Sequence, residues 1–262
     1  MIQVTLIALY GDKQDDFATA ITRCQQIAAQ AVGSAFTPYD LCQIHATIIG
    51  FERHIASPVF NANFAKHRGR DVVMEFDGYL TYLRGCGLFP FEVQLGGFAN
   101  RDYPFTSRGT LPYDRSFSIQ GDKVVVMGWP LRGEPFKAPP DTPAACSREA
   151  RIYPATLDAI RLAAQRYGIL HGYHRLLTDV DNDLFFRIGL IDPKALTAAT
   201  TSTLEGQVRQ FLSSQPPLVI EIRIEDICIA AYEDDRLPLV STQTWSLADP
   251  IVTGQFVAER LT

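Results

Sequence analysis

Residues 218–234 have the sequence LVIEIRIEDICIAAYED, which is the longest β-rich run in the chain. Such runs favour strands, because branched and aromatic side chains pack well on a pleated surface. A second run, IQVTLIALY, covers residues 2–10, and apolar residues then recur at helical spacing over residues 15–32. Strands and helices that follow one another in this way predict an α+β protein.

Several further elements are predicted from apolar patterns and turn residues. FEVQLGGF (91–98) alternates like a strand, and Gly121-Asp122 divides SFSIQGDKVVVMGWP into a hairpin. A helix is predicted over residues 154–167, with Gly168 as its stop. The remaining predictions are a second hairpin formed by GILHGYHRLL and LFFRIGLID around TDVDND, a helix at TLEGQVRQFLSS and a short strand at QTWSL.

The order of these elements favours one α+β domain over residues 1–262, because the chain has no Gly/Ser linker. The elements fall into two loosely similar halves. We therefore expect two pseudo-symmetric lobes, roughly residues 1–85 together with 155–262, and an insertion-rich middle over 99–150. Within that middle, LRGEPFKAPPDTPAAC is predicted to be an irregular, proline-rich excursion.

Charge and composition limit the classes of partner. The formal net charge of −5 at pH 7 provides no broad basic field, so duplex DNA is not an expected partner. No run of 18 apolar residues occurs, so no membrane span is expected. The five cysteines are scattered and no signal-peptide pattern occurs, which together favour a cytoplasmic protein. The oligomeric state is left open.

Common cofactor and metal motifs are missing from the sequence. It contains no phosphate-binding loop of the P-loop or Rossmann type, no nucleophile elbow and no His-Glu-x-x-His motif. The run that begins at Asp179 resembles a calcium loop, but Leu184 and Leu190 stand where glycine and glutamate are required. No cofactor and no metal ion are therefore expected.

His45 and Thr47 are the polar residues that best suggest chemistry. They lie two positions apart in the apolar run IHATI, so on a strand they point to the same face. A histidine there can act as acid or base near neutral pH, and a threonine hydroxyl can donate to a phosphate oxygen. The structural alternative is that they are two polar residues without a chemical role, on a sheet with one face partly exposed to solvent.

The IHATI motif and the order of elements resemble the two-histidine phosphoesterases, which include 2′-5′ RNA ligase-like proteins and cyclic nucleotide phosphodiesterases. That family carries a His-x-Thr/Ser-hydrophobic motif once in each of two similar α+β lobes, which face each other across a cleft. The resemblance implies antiparallel sheets and helices around a central cleft. It also implies metal-independent cleavage of a cyclic or 2′-5′ phosphonucleotide or RNA end, with His45 as acid or base and Thr47 as a phosphate ligand.

The second motif departs from the family pattern. In the expected strand, NDLFFRIG, alignment puts Phe185 in the histidine position and Arg187 in the threonine position. Arg187 is suited to phosphate because its planar fork binds two oxygens at once. His174, and less readily His171, could lean into the cleft from the preceding segment and replace the missing histidine.

The loop NRDYPFTSRGTLPYDR adds arginines among aromatic residues, a composition suited to nucleotides. Arg101, Tyr103 and Arg115 are therefore candidate substrate-binding residues, and a small phosphorylated nucleotide or RNA end is the expected partner. Two alternatives stay open. One is a phosphate- or nucleotide-binding protein of the same fold without catalysis, and the other is an unrelated α+β protein with a structural or partner-binding role.

Overall fold

The computed structural model describes residues 2–131 and 155–261, and within these ranges the chain forms seven α-helices and twelve strands. The strands are β1 Gln3–Ala8, β2 Phe36–Pro38, β3 Ala46–Gly50, β4 Arg53–Ala56, β5 Val59–Asn61, β6 Phe91–Leu95, β7 Phe117–Gln120, β8 Lys123–Trp129, β9 Leu184–Ile191, β10 Leu218–Ile222, β11 Ile227–Tyr232 and β12 Gln243–Ser246. The helices are α1 Asp15–Val32, α2 Ala62–Arg68, α3 Phe76–Gly85, α4 Pro112–Arg115, α5 Thr156–Ala164, α6 Ala198–Ser214 and α7 Gly254–Leu261.

Ten of the described strands form one antiparallel sheet, which has the order β10-β6-β8-β9-β3-β1-β11-β12. The short strand β2 pairs with β9, and β7 pairs with β8. The strands β4 and β5 form a separate hairpin. The predicted α+β class is therefore confirmed.

Strands β3 and β9 lie side by side in the middle of this sheet and are joined through the pair Ala46 and Phe186. Alternate residues of β9, namely Leu184, Phe186 and Ile188, are buried in the main core. The core also takes the apolar face of α1, where Phe17 packs its ring 5.1 Å from that of Phe186. One face of the two central strands is therefore dry, and the intervening residues point to the other face.

Helix α1 and the hairpin of β7 and β8 are confirmed as predicted. The buried residues of α1 follow the predicted helical spacing, and Gln120 pairs with Lys123 across the Gly121-Asp122 turn. Helix α5 is also confirmed, and Gly168 follows it with a φ of 70°. A side chain there would meet the carbonyl of Val73, so glycine is required. Pro154 and the proline-rich residues 132–146 lie outside the described residues.

The predicted hairpin of GILHGYHRLL and LFFRIGLID is wrong, because only its second arm is a strand, β9. The first arm forms tight turns instead, in which the amide of His174 donates to the carbonyl of His171. In this segment a side chain, and not a neighbouring strand, accepts a backbone hydrogen bond: the amide of Leu176 donates to the carboxylate of Asp179.

The run 218–234 is divided between two parts of the sheet. Strand β10 pairs with β6 at one edge, whereas β11 pairs with β1 and β12 near the other. A turn at residues 223–226 separates them, and there the amide of Arg223 donates to the carboxylate of Asp226.

Candidate functional site

A cavity of about 500 Å³ lies on the face of the sheet opposite the α1 packing face, and we call it the central cleft. Six strands contribute to its wall: β1, β3, β7, β8, β9 and β11. The strand residues that line it include Thr5, Thr47, Lys123, Phe185, Arg187 and Tyr232. The cleft therefore presents cationic and hydroxyl groups around the two central strands, and its lining also contains the carboxylates of Glu52, Asp181, Asp183 and Asp235.

His45 and Thr47 both line the central cleft. The Nδ1 atom of His45 lies 2.8 Å from the carbonyl oxygen of Gln43. A carbonyl only accepts, so Nδ1 carries the proton and Nε2 keeps a free lone pair. Desolvation lowers the pKa of His45 to about 4, and the positive charge of Arg187 acts in the same direction. His45 is thus a neutral imidazole at pH 7 and can accept a proton.

Phe185 and Arg187 line the same cleft from β9, next to β3. The Nη1 atom of Arg187 lies 3.4 Å from the hydroxyl of Tyr39 and 3.2 Å from the carbonyl oxygen of Asp235. Both terminal nitrogens also lie 3.4 Å from the Oδ2 atom of Asp235, whose side chain is 61% exposed. Arg187 is therefore held by a solvent-facing carboxylate that an incoming anion can replace.

Arg161, from α5, connects the two central strands beneath the cleft. Its side chain is buried and donates to the carbonyl oxygens of Thr47 at 2.9 Å and of Ile48 at 2.8 Å. The same guanidinium donates to the carbonyl oxygens of Asp181 and Asp183 at 3.0 and 3.2 Å, just before β9. These bonds fix the position of Thr47 relative to the start of β9.

His171 and Asp181 form a buried pair that also lines the cleft. The Nε2 atom of His171 lies 2.8 Å from Oδ2 of Asp181, and Arg161 Nη1 lies 3.2 Å from the same oxygen. Desolvation, together with the Arg161 charge, lowers the pKa of His171 to about 3. Burial alone would raise the pKa of Asp181, but Arg161 and His171 outweigh it and hold that pKa well below its usual range.

The neutral His171 ring has one hydrogen-bonding position to spare. Its Nε2–H donates to Asp181, and its buried Nδ1 atom has no hydrogen-bond partner among the described residues. Nδ1 is consequently an acceptor that a ligand hydroxyl or a water molecule could satisfy.

His174, the preferred replacement histidine of the sequence analysis, is not among the residues that line the central cleft. It is 1% exposed, and its Nε2 atom lies 3.1 Å from Oδ1 of the buried Asp158. Asp158 also accepts from the amide of Asp181 at 2.8 Å. His174 therefore supports the segment that leads into β9, whereas His171, the less favoured candidate, is the histidine that faces the cleft.

The three loop candidates lie outside the lining of the central cleft. Arg101 stacks 5.3 Å from the ring centroid of Tyr103, and Tyr103 lines a neighbouring cavity. Arg115 donates to the carboxylate of Asp183 at 3.3 Å and to Ser107 at 3.2 Å. Asp183 also accepts from the indole of Trp129 at 2.7 Å, so Arg115 belongs to a buried supporting network.

Several cleft residues that were not predicted have a recognisable signal in the sequence. Thr5 and Tyr232 are polar positions inside apolar β-rich runs, and their hydroxyls lie 2.8 Å apart. Arg161 interrupts the apolar face of the predicted α5 helix. A charged residue in such a position indicates a buried ion pair. Lys123 carried no such signal, because it looked like an ordinary residue beside a turn.

No protein family, no curated protein and no solved structure matches the chain. Among residues 2–131 and 155–261, no helix is both long and apolar enough to cross a membrane. In the same part of the chain, no group of three or more histidine, cysteine or acidic side chains is arranged to hold a metal ion.

Proposed function

We propose that the protein is a metal-independent phosphodiesterase of the two-histidine type, acting on a cyclic or 2′-5′ phosphonucleotide or RNA end. One observation carries the proposal: two neighbouring strands line the same cleft with the residues of both motifs. Thr47 lies on β3 and His45 directly precedes that strand, while Phe185 and Arg187 lie on β9. These are the two positions at which that family carries its paired motifs.

The order of elements supports the two-lobed arrangement that the family has. Strand β1 and helix α1 precede β3, with the short β2 between α1 and β3, and among the described residues β8 and α5 precede β9. In the sheet, β1 lies beside β3 and β8 lies beside β9, while β3 and β9 meet in the middle. Four strands of the main path then lie on each side of the β3–β9 boundary. We infer that these are two pseudo-symmetric lobes.

The groups around the cleft suggest how a cyclic phosphate would be opened. Arg187 and the Thr47 hydroxyl donate to the phosphate oxygens, and the phosphate replaces Asp235 beside Arg187. A water molecule attacks phosphorus and gives its proton to Nε2 of His45, while the bond from phosphorus to one ribose oxygen breaks. That oxygen takes a proton from solvent water in the open cleft, since Phe185 supplies none.

The missing second histidine has a predictable cost. General acid catalysis by a positioned side chain contributes about 10²–10⁴-fold to a rate. Turnover is therefore expected to be slower by a factor of this size than that of an enzyme with both histidines. Phe185 also favours a second candidate function, a phosphate- or nucleotide-binding protein without catalysis.

The test is hydrolysis of 2′,3′-cyclic nucleotides and 2′-5′-linked dinucleotides by the wild-type protein in the presence of EDTA. We expect His45→Ala to lower turnover about 100-fold or more. His54→Ala is the matched control, because His54 is exposed on β4 and pairs with Asp71 outside the cleft. Nucleotide binding that depends on Arg187, without turnover, would favour the binding protein, and neither binding nor turnover would refute both functions.

A further inference from the structure

A second cavity, of about 760 Å³, adjoins the central cleft, and we call it the side cavity. The two cavities share Arg108 and Tyr173 as lining residues, so they adjoin at this pair. The volume of the side cavity falls within the range of about 300–1,000 Å³ that is typical of ligand pockets. Nothing in the proposed chemistry of the central cleft uses it.

The side cavity combines cations with aromatic rings. The guanidinium carbon of Arg108 lies 3.6 Å from the ring centroid of Tyr173, and that of Arg175 lies 6.0 Å from the same centroid. Tyr103 and Phe105 also line the cavity. Arginines that alternate with exposed aromatic faces bind chains in which anionic groups alternate with flat rings. A single-stranded nucleic acid has that chemistry.

Arg108 is held in place at the junction of the two cavities. Its backbone has a φ of 50°, which is uncommon for a residue other than glycine. Its guanidinium forms ion pairs with the buried carboxylates of Asp181 at 3.4 Å and Asp183 at 3.5 Å. A residue kept in such a backbone conformation by buried partners is typical of a binding site. Arg108 can therefore donate to a phosphate that lies between the cleft and the side cavity.

We propose that the side cavity binds the nucleotides adjoining the reactive end, so that the ligand is a single-stranded oligonucleotide rather than a mononucleotide. This inference rests on the proposed function, because the reactive phosphate is taken to lie at His45. Arg108 contacts the next phosphate along the chain, and Arg175 contacts the one after it. Tyr173 and Tyr103 offer faces to the bases.

The first experiment measures Kd by isothermal titration calorimetry for oligoribonucleotides of one, two and four residues that end in a 2′,3′-cyclic phosphate. Each base that stacks should tighten binding by about fivefold or more. The tetranucleotide should also have a steeper salt dependence than the mononucleotide, by about 0.7 in the slope of log K against log salt for each added phosphate contact. A Kd that is independent of length would overturn the inference.

A variant of the side cavity alone gives the sharper test. Arg175→Ala should remove about one contact from the salt slope of the tetranucleotide and leave the affinity of the mononucleotide unchanged. Arg70→Ala is the matched control, because Arg70 is exposed and stacks 5.3 Å from Phe64, outside both cavities. An equal effect of both substitutions on the tetranucleotide would refute a role for Arg175.

The outcomes separate the inference from the proposed function. If mononucleotide and tetranucleotide bind equally and His45→Ala abolishes turnover of both, the proposed function stands and the side cavity is not a nucleotide site. If no oligonucleotide binds, both fail together. An abasic tetranucleotide, which has the phosphates without the bases, tests the stacking directly: it should bind more weakly than the normal one, and equal binding would exclude stacking on Tyr173 and Tyr103.

Discussion

Replacement of Arg161 by methionine should destabilise the protein strongly, because this one side chain joins β3 to the start of β9. The substitution removes donors to the carbonyl oxygens of Thr47, Ile48, Asp181 and Asp183. It also leaves the carboxylate of Asp181 buried without the guanidinium that lies 3.2 Å from it. Methionine has a similar length, so the loss of charge and donors dominates over the loss of volume.

The size of the effect follows from the cost of removing one partner of a buried charge, which leaves Asp181 with the partly exposed Arg108 and the neutral His171. Removal of one partner from a buried ion pair costs about 3–5 kcal/mol of unfolding free energy. A chain of this size loses about 2–4 °C of Tm for each kcal/mol, so we expect Tm to fall by about 6–20 °C. Native proteins are stable by about 5–15 kcal/mol, so a loss of this size should leave a variant that still folds at low temperature.

The assay is thermal and urea unfolding of the Arg161→Met variant and of a matched control, Arg166→Met. Arg166 lies just beyond α5, is exposed and stacks 5.1 Å from the ring centroid of Tyr82, so its replacement should cost less than about 1 kcal/mol. Adding Asp181→Asn to Arg161→Met should restore part of the stability, because it removes the buried negative charge that Arg161 no longer balances. A loss below about 1 kcal/mol for Arg161→Met would refute this reasoning.

Three further predictions concern the cleft and its support. The folded pKa of His171, about 3, lies below the ordinary histidine value of about 6.5, so stability is lost as pH falls from 6.5 towards 3. His171→Asn should therefore flatten urea-derived stability against pH by about 1.4 kcal/mol per unit between pH 6 and 4, and an unchanged slope would exclude the effect. Asp235→Asn should tighten the binding of a 2′,3′-cyclic nucleotide by up to about fivefold in calorimetry, because it frees Arg187 from a surface ion pair worth up to about 1 kcal/mol, and weaker binding would contradict this. His174→Ala should cost about 1–3 kcal/mol in thermal unfolding, because it removes a buried hydrogen bond to Asp158, but should leave any turnover by the folded protein unchanged. A folded variant without turnover would instead place His174 in the reaction.

The parts of the fold that were predictable from the sequence depend on local pattern. Helix α1 buries Phe17, Ile21 and Cys24 at the spacing that the sequence shows. The turn between β7 and β8 has the glycine that a tight hairpin requires, with a φ of 67° at Gly121. In both cases neighbouring residues supply most of the information, so a reading of the sequence alone was sufficient.

The segment before β9 was not predictable in the same way, because distant residues decide its conformation. The segment of His171 and His174 was predicted to be a strand, yet each histidine ring donates through Nε2 to a buried carboxylate. Asp158 lies on α5, more than ten residues before His174 in the chain. The local pattern does not indicate such a partner, although the contact with this partner helps to fix the turn conformation.

The central pair of strands illustrates which part of a site a sequence can disclose. The alternation of β9 was enough to predict that Phe185 and Arg187 share a face, because the core-facing register buries Phe186 and leaves no other choice. The alternation could not predict which residues from other parts of the chain lie beside Phe185 and Arg187. Asp235, which lies beside Arg187, comes from the loop after β11, and the partner strand β3 is more than one hundred residues away in sequence.

If the proposed function is correct, Arg187 stands where the two-histidine phosphoesterases have a threonine or serine, and this difference has a chemical consequence. Burial is the main cause that lowers the pKa of His45 to about 4, and the permanent positive charge of Arg187 acts in the same direction. The neutral imidazole can only accept a proton at pH 7, which assigns His45 to the attacking water and not to the leaving oxygen. A bound phosphate would offset the charge of Arg187 and raise this pKa again. The pH profile of kcat/KM, which reports free-protein groups, should therefore fall on the acid side near pH 4, whereas that of kcat should fall at a higher pH. Identical acid limbs in the two profiles would refute the coupling between Arg187 and His45.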